Sequence, residues 1–381
     1  MNHILLITIS GQDQAGVTAG VTGILSQKQA NILDIGQSVI HATLSLGILA
    51  ELPESCDEKQ LSAAIAEFTR DRDLRLRVSS VTPQSYSQWV EGHGRARYIV
   101  TLLARKITSD QLARVTAVVS DHGLNIDGIN RLSGRIPIGK LPAQSKACVE
   151  FSARGTLSDA AAFRRELLEV AGALEVDLAF QEDNMYRRNR RLVAFDMDST
   201  LIEAEVIDEL ARLAGVGDRV SAITERTMRG ELDFSESFRA RVALLEGLPE
   251  SALAQVAGEL SITEGAEHLI ATLRKLGYKT AILSGGFTYF ARHLQQRLGI
   301  DYIYANELDI VDGAVSGQIK GAIVDGARKA ELLQQLAVEQ GIDLQQVIAV
   351  GKQSAEQSIS TLGLDAILYL LGFSDRYQGH I

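Results

Sequence analysis

The sequence predicts an α/β chain in three parts: two small α+β units of ferredoxin-like β-α-β-β-α-β order, then a larger unit built on an open parallel sheet with a helical cap. Three observations carry this. An uncharged apolar run, Leu192 to Phe195, stops abruptly at Asp196-Met197-Asp198, as a strand buried on both faces of a parallel sheet would. A pattern recurs at a spacing of 94, where Val21, Thr22, Leu25, Ser26, Asn31 and Ile32 match Val115, Thr116, Val119, Ser120, Asn125 and Ile126, which marks a tandem duplication. Helical periodicity fills Glu205 to Ile262, with Val206, Leu210, Leu213 and Ala214 on one face.

In the first unit, residues 1–82, alternation from His3 to Ile9 predicts a strand that enters the turn Gly11 to Gly16. A helix then carries Val17, Val21, Ile24 and Leu25 on one face. Strands at Ile32 to Val39 and Ser45 to Leu52, a helix at Glu58 to Arg70 and a strand at Leu74 to Val81 complete the unit. Its helices should cover one face of an antiparallel sheet. Thr82 to Ala96, with Pro83, Gly92 and Gly94, reads as a linker to the second unit, residues 97–183. Arg187, Arg188, Arg190 and Arg191 read as the solvated face of the next boundary. The third unit spans 191–381, its cap at about 205–262.

Composition narrows the function. A chain of 381 residues, 46% hydrophobic, can bury several cores, and a net charge of -10 argues against a nucleic-acid surface. No stretch approaches a membrane span, and Cys56 and Cys148 stand far apart without metal-ligand spacing, as reduced thiols of a cytoplasmic protein would.

Residues just past a central strand of an open α/β sheet face the ligand crevice. Two carboxylates there, Asp196 and Asp198, could serve as nucleophile and as general acid/base. Alone, Asp198 and Ser199 could equally cap a turn. The run Asp196-Met197-Asp198-Ser199-Thr200 resembles the DxDx[TV] signature of the haloacid dehalogenase superfamily, and Arg191 to Gly351 resembles phosphoserine phosphatases of that superfamily. That resemblance implies a Rossmann-like core with a helical cap, a Mg²⁺ cofactor and hydrolysis of O-phospho-L-serine through an aspartyl-phosphate, the last step of serine biosynthesis.

By the same resemblance Asp196 is the nucleophile and Asp198 the acid/base, and both contribute to the metal. Ser284, Gly285 and Gly286, after the apolar run Thr280 to Leu283, contact the phosphoryl group. Lys329 offsets negative charge, Glu205 takes the substrate ammonium, Arg241 takes its carboxylate, and Met228 and Phe234 close the pocket. Each would be unremarkable alone: a strand followed by Ser-Gly-Gly is usually a turn, and Lys329 and Arg241 read as helix-surface cations. Their order along the chain favours the site. Asp312-Gly313, between two apolar alternating runs, predicts a hairpin.

The first unit is similar to the ACT domain, a small-molecule sensing module. This implies an amino-acid effector such as serine held by Gly11, Asp13, Gly16 and Asn31, although the same glycines could form a plain tight turn. The second copy has Arg105 and Asp110 at the glycine positions, which favours a pairing or interface role. A homodimer is the expected assembly.

The resemblance breaks after Gly351. Where the family continues with a loop of the form GDGANDL, this chain reads Gly351-Lys352-Gln353-Ser354-Ala355-Glu356-Gln357, and the next aspartate is Asp365. Loss of one loop-helix-strand segment, on the order of 25 residues, accounts for this. It predicts a sheet short of one strand, or one that recruits the tail from Ser354 to Leu371, and leaves Glu356 as the nearest acid. Two other functions stay open: a catalytically silent amino-acid sensor or dimer partner, and a phosphatase for another small phosphomonoester.

Overall fold

The computed structural model describes residues 3–94, 96–137, 139, 145–351 and 362–375. The chain divides into two compact units, Met1–Arg95 and Ala96–Ile381. Lys352 to Gln357, where the family resemblance breaks, lie outside the described residues. No described helix is long and apolar enough to cross a membrane.

The first unit contains β1 (His3–Gln12), α1 (Val17–Gln27), β2 (Asn31–Ile40), β3 (Thr43–Leu52), α2 (Glu58–Arg70), β4 (Arg75–Val81) and α3 (Pro83–His93). The sheet is antiparallel in the order β2-β3-β1-β4. Alternate residues Leu5, Ile7 and Ile9 of β1 and Leu44, Leu46 and Ile48 of β3 turn inward against Val17, Val21 and Leu25 of α1 and Leu61 and Ile65 of α2. Gly20 lets the two helices approach, since a Cβ there would stand 2.1 Å from the Phe68 ring. The segment expected to be a linker is instead α3. Thr82 accepts from the Ser85 amide and Pro83 sits in the first turn, where its missing N–H costs nothing.

The second unit opens with β5 (Arg97–Ala104), α4 (Ser109–Asp121), β6 (Asn125–Arg131), β7 (Ala147–Arg154), α5 (Ala160–Leu174) and β8 (Asp177–Glu182). Its sheet runs β6-β7-β5-β8, the order of the first copy. The likeness extends to local detail. β2 shifts register between Ile32 and Asp34, and β6 between Ile126 and Gly128. Gln29 at φ 54 and Gly123 at φ 73 end equivalent helices. The first strand is offset by one residue less than the helices: Thr8 pairs with Gly47 while Thr101 pairs with Glu150, so Ala104 rather than Arg105 stands in the place of Gly11.

Then follow β9 (Leu192–Phe195), α6 (Val206–Leu213), α7 (Gly217–Met228), α8 (Phe234–Ala243), α9 (Glu250–Glu259), α10 (Ala266–Lys275), β10 (Lys279–Phe287), α11 (Thr288–Leu298), β11 (Tyr302–Val311), β12 (Ala314–Lys320), α12 (Gly326–Glu339), β13 (Val347–Val350) and α13 (Ile367–Leu370). Among the described residues the sheet order is β12-β11-β10-β9-β13. β9 is parallel to both neighbours, with Phe195 level with Ile282 and Val350. Asp312 and Gly313, both at positive φ, turn β11 into β12 as the hairpin signal predicts. Helices α6 to α9 form the cap, whose two connections meet at an Ile202–Ile262 bridge.

Two expectations are corrected here. Arg187 is 1% exposed and paired with Glu150 of β7, not solvated, because burial of the Glu150 carboxylate requires a cation beside it. The described tail is helical rather than a replacement strand. Leu364, Ile367, Leu368 and Leu371 join the phosphatase core, while Leu362, Ala366, Tyr369 and Leu370 pack on Leu103, Cys148 and Ala179 of the second α+β sheet. A segment apolar on every side is satisfied only as a helix buried between two layers.

Candidate active site

Asp196 leaves the C-terminal end of β9, its amide donating to the Val350 carbonyl at 2.8 Å. Its carboxylate is held at both oxygens. Oδ1 accepts from the Met197 amide at 2.9 Å and Oδ2 from the Lys329 ammonium at 2.8 Å. Lys329 lies on the first turn of α12, whose N-terminus is capped by Asp325. The chain then makes a tight π-type turn, Met197–Leu201, with Ser199 at φ 54. That turn swings Asp198 back toward the crevice.

Asp198 Oδ1 accepts from the Val206 amide at 3.1 Å. Burial pushes its carboxyl up to about 8, and the charges of Glu205 and Asp196 add to the effect against the Val206 N–H and Lys329. A group so placed holds a proton at neutral pH and can donate it. Its Oδ2 faces Gly286: a Cβ there would stand 2.4 Å from that oxygen, so only glycine fits. Ser284 is buried at the end of β10 and accepts from the Gly286 amide at 2.9 Å.

Asn306 of β11 was not singled out from the sequence. It is 1% exposed, donates to the Gly285 carbonyl at 2.7 Å and accepts from the Val324 amide at 2.8 Å, so it fixes the Ser284-Gly285-Gly286 turn. A lone Asn in an alternating strand carries no signal of that task.

The cap supplies the other end of the crevice. The Phe234 ring reaches Gly285, where a Cβ would meet its Cζ at 3.0 Å, and stacks on Phe238, which stacks in turn on Phe287 of the core. Arg241 is half-buried, and its Nε has no hydrogen-bond partner among the described residues. Burial pulls the Arg241 guanidinium down, while Asp208, Glu205 and Asp198 hold it charged. Asp208 was also missed, although it stands three residues beyond Glu205 on the same face of α6. Glu205 accepts from the Ser199 hydroxyl at 2.8 Å. Met228 is 77% exposed at the end of α7 and closes nothing in this conformation.

The expected effector residues have visible structural tasks. A Cβ on Gly11 would stand 2.7 Å from a Leu74 methyl, and Gly16 takes the left-handed φ of 88 before α1. Asp13 is exposed, and Asn31 reaches Glu51 at 3.5 Å. Arg105, just beyond β5, forms a two-pronged pair with Glu264 at 3.3 and 3.0 Å, which is an interface role for the second copy.

Among the described residues the donors do not complete the divalent-metal site that the resemblance implies. Mg²⁺ needs near-octahedral oxygen ligation. Among the described residues the Asp196 carboxylate is engaged by an ammonium, and no three His, Cys, Asp or Glu side chains converge as a metal site. Asp365 is paired with Lys146 on the second α+β sheet.

Comparison with known proteins places these features in a lineage. Residues 3–79 match the ACT domain and residues 193–353 match the haloacid dehalogenase-like hydrolase family. A phosphoserine phosphatase of Streptomyces coelicolor is 36% identical over 97% of this chain and 92% of its own length. The phosphoserine phosphatase SerB2 of Mycobacterium tuberculosis is 34% identical over 97% and 93%. Those alignments run to 394 and 393 positions, more than this chain contains, so both relatives carry residues that it lacks. The crystal structure of a probable phosphoserine phosphatase from Vibrio cholerae covers 75% of this chain and 90% of its own at 30% identity and a TM-score of 0.55. On this footing the chain belongs to the phosphoserine phosphatase family of haloacid dehalogenase-like phosphomonoester hydrolases.

Proposed function

We propose that the phosphatase half acts on O-phospho-L-serine. The observation that carries this is the two-ended crevice. One end holds Asp196 against Lys329, and the other holds the half-buried Arg241, whose Nε has no partner among the described residues, near the acids Glu205 and Asp208. A guanidinium fork suits a carboxylate and the acids suit an ammonium, so the second end fits an amino-acid headgroup.

In the first step an Asp196 oxygen bonds to phosphorus, the bond from phosphorus to the serine oxygen breaks, and the Asp198 proton passes to that oxygen. In the second, Asp198 takes a proton from water as the water oxygen bonds to phosphorus. The Asp196–phosphorus bond then breaks and phosphate leaves. In this reading the Ser284 hydroxyl and the Gly285 amide donate to phosphoryl oxygens, the Gly286 amide orients Ser284, and Asn306 holds that segment as a positioning residue. The family's Mg²⁺ would add Lewis-acid stabilisation, but the donors here do not complete its site, and neither step is drawn through it.

Phosphate release from phosphoserine tests the reading: activity no greater than that of Asp196→Asn sinks it. Arg241→Ala should raise KM for phosphoserine, and an unchanged KM would move the assignment to another phosphomonoester. Feedback by L-serine at the first ACT unit and assembly as a cytoplasmic homodimer complete the proposal, supported by the ACT match and the two free cysteines. Serine titration of Asp13→Ala and sedimentation of the whole chain check the first two.

A further inference from the structure

β13 delivers Gly351 directly beside the nucleophile: a Cβ on Gly351 would stand 3.4 Å from the Asp196 Cβ and 3.8 Å from its Oδ2. A ligand emerging from this strand would therefore meet Asp196. The sequence that follows, Lys352-Gln353-Ser354, contains no carboxylate. Each Asp196 oxygen also accepts one hydrogen bond from the chain itself, one from the Met197 amide and one from the Lys329 ammonium. The next aspartate, Asp365, is committed elsewhere through Lys146 and stands close against Gly265.

We propose that this site binds phosphorylated amino acid without a divalent ion, with Lys329 supplying the countercharge between Asp196 and the phosphoryl group. This rests on the phosphoserine reading above. One ammonium cannot neutralise a carboxylate and a phosphate dianion together, so attack at phosphorus meets residual repulsion and phosphate release does not respond to Mg²⁺.

Calorimetry on the full chain decides it. The expected result is the same affinity for O-phospho-L-serine in chelator as in Mg²⁺, and no heat from Mg²⁺ alone. Lys329→Ala should weaken phosphoserine binding by about tenfold or more while L-serine, which lacks the phosphoryl group, binds as before. Lys329→Arg should recover part of the loss, and matched melting curves for the variants separate this from misfolding. Phosphoserine binding that requires Mg²⁺ overturns the proposal and leaves the substrate reading intact. No phosphoserine binding under either condition overturns the substrate reading and this proposal with it.

Discussion

The two α+β copies share strand order, helix ends and a β-bulge, yet they treat the outer face of the sheet in opposite ways. In the first copy, Leu6 and Leu49 line a groove of about 350 Å³ beside Tyr86 and Trp89 of α3, with Leu6 39% exposed. In the second, Leu103 and Cys148 are fully buried under the helical tail. Gly47 of the first copy has Glu150 as its counterpart, and Glu150 is sealed in with Arg187. A duplicated fold thus conserves the core face, which the helices of each copy must cover. The other face is free to become an interface or a groove.

Four variants would break or sharpen that contrast. Leu370→Asp places a charge in the layer between the tail and the second sheet, where Leu370 is 5% exposed, and should cost about 4 kcal/mol in chemical denaturation. A loss near that expected of a surface site would mean the tail does not seal this sheet. Glu150→Ala leaves Arg187 buried with only the longer contact to Asp183 at 3.8 Å and should cost roughly 3 kcal/mol, read as a lowered melting temperature.

Arg105→Ala removes the clasp on Glu264, two residues beyond the Ile202–Ile262 bridge at the base of the cap. Both side chains are more than a third exposed, so about 0.5 kcal/mol is expected after solvent screening. The hydrogen bond from Arg105 holds the Glu264 carboxyl below the usual carboxylate range. Its contribution is therefore full above the unfolded carboxylate pKa and vanishes as pH falls through the lower folded value. Wild type and variant should converge in stability under acid, and a gap that persists there would show that the clasp is not ionic. The smallest effect belongs to the first copy: Leu6→Asp, on the outer face of the sheet but open to water, should change stability by no more than about 0.5 kcal/mol.

Much of this was legible in the linear chain because it depends on neighbours in sequence. Apolar alternation located β1 and β3, an uncharged run ending at Asp196 located β9, and Asp312-Gly313 located the hairpin. The segment from Thr82 was misread because Pro83 and the nearby glycines suggested a break, whereas a threonine cap followed by proline also starts a helix. Arg187 was misread for another reason: four arginines in a short run look solvated until the partner 37 residues earlier is known.

By itself, then, the sequence determined the duplication and the place of Asp196 and Asp198 at the end of a buried strand, since local periodicity and spacing encode both, while resemblance supplied the order of the phosphatase motifs. Tertiary structure alone decided that Lys329 bonds an Asp196 oxygen, that Asn306 braces the Ser284 segment, that the charge of Asp208 acts on Arg241, and that the tail is a helix between two layers. Each of these depends on groups far apart in the chain, where burial and charge pairing set a side chain's task and its residue type does not.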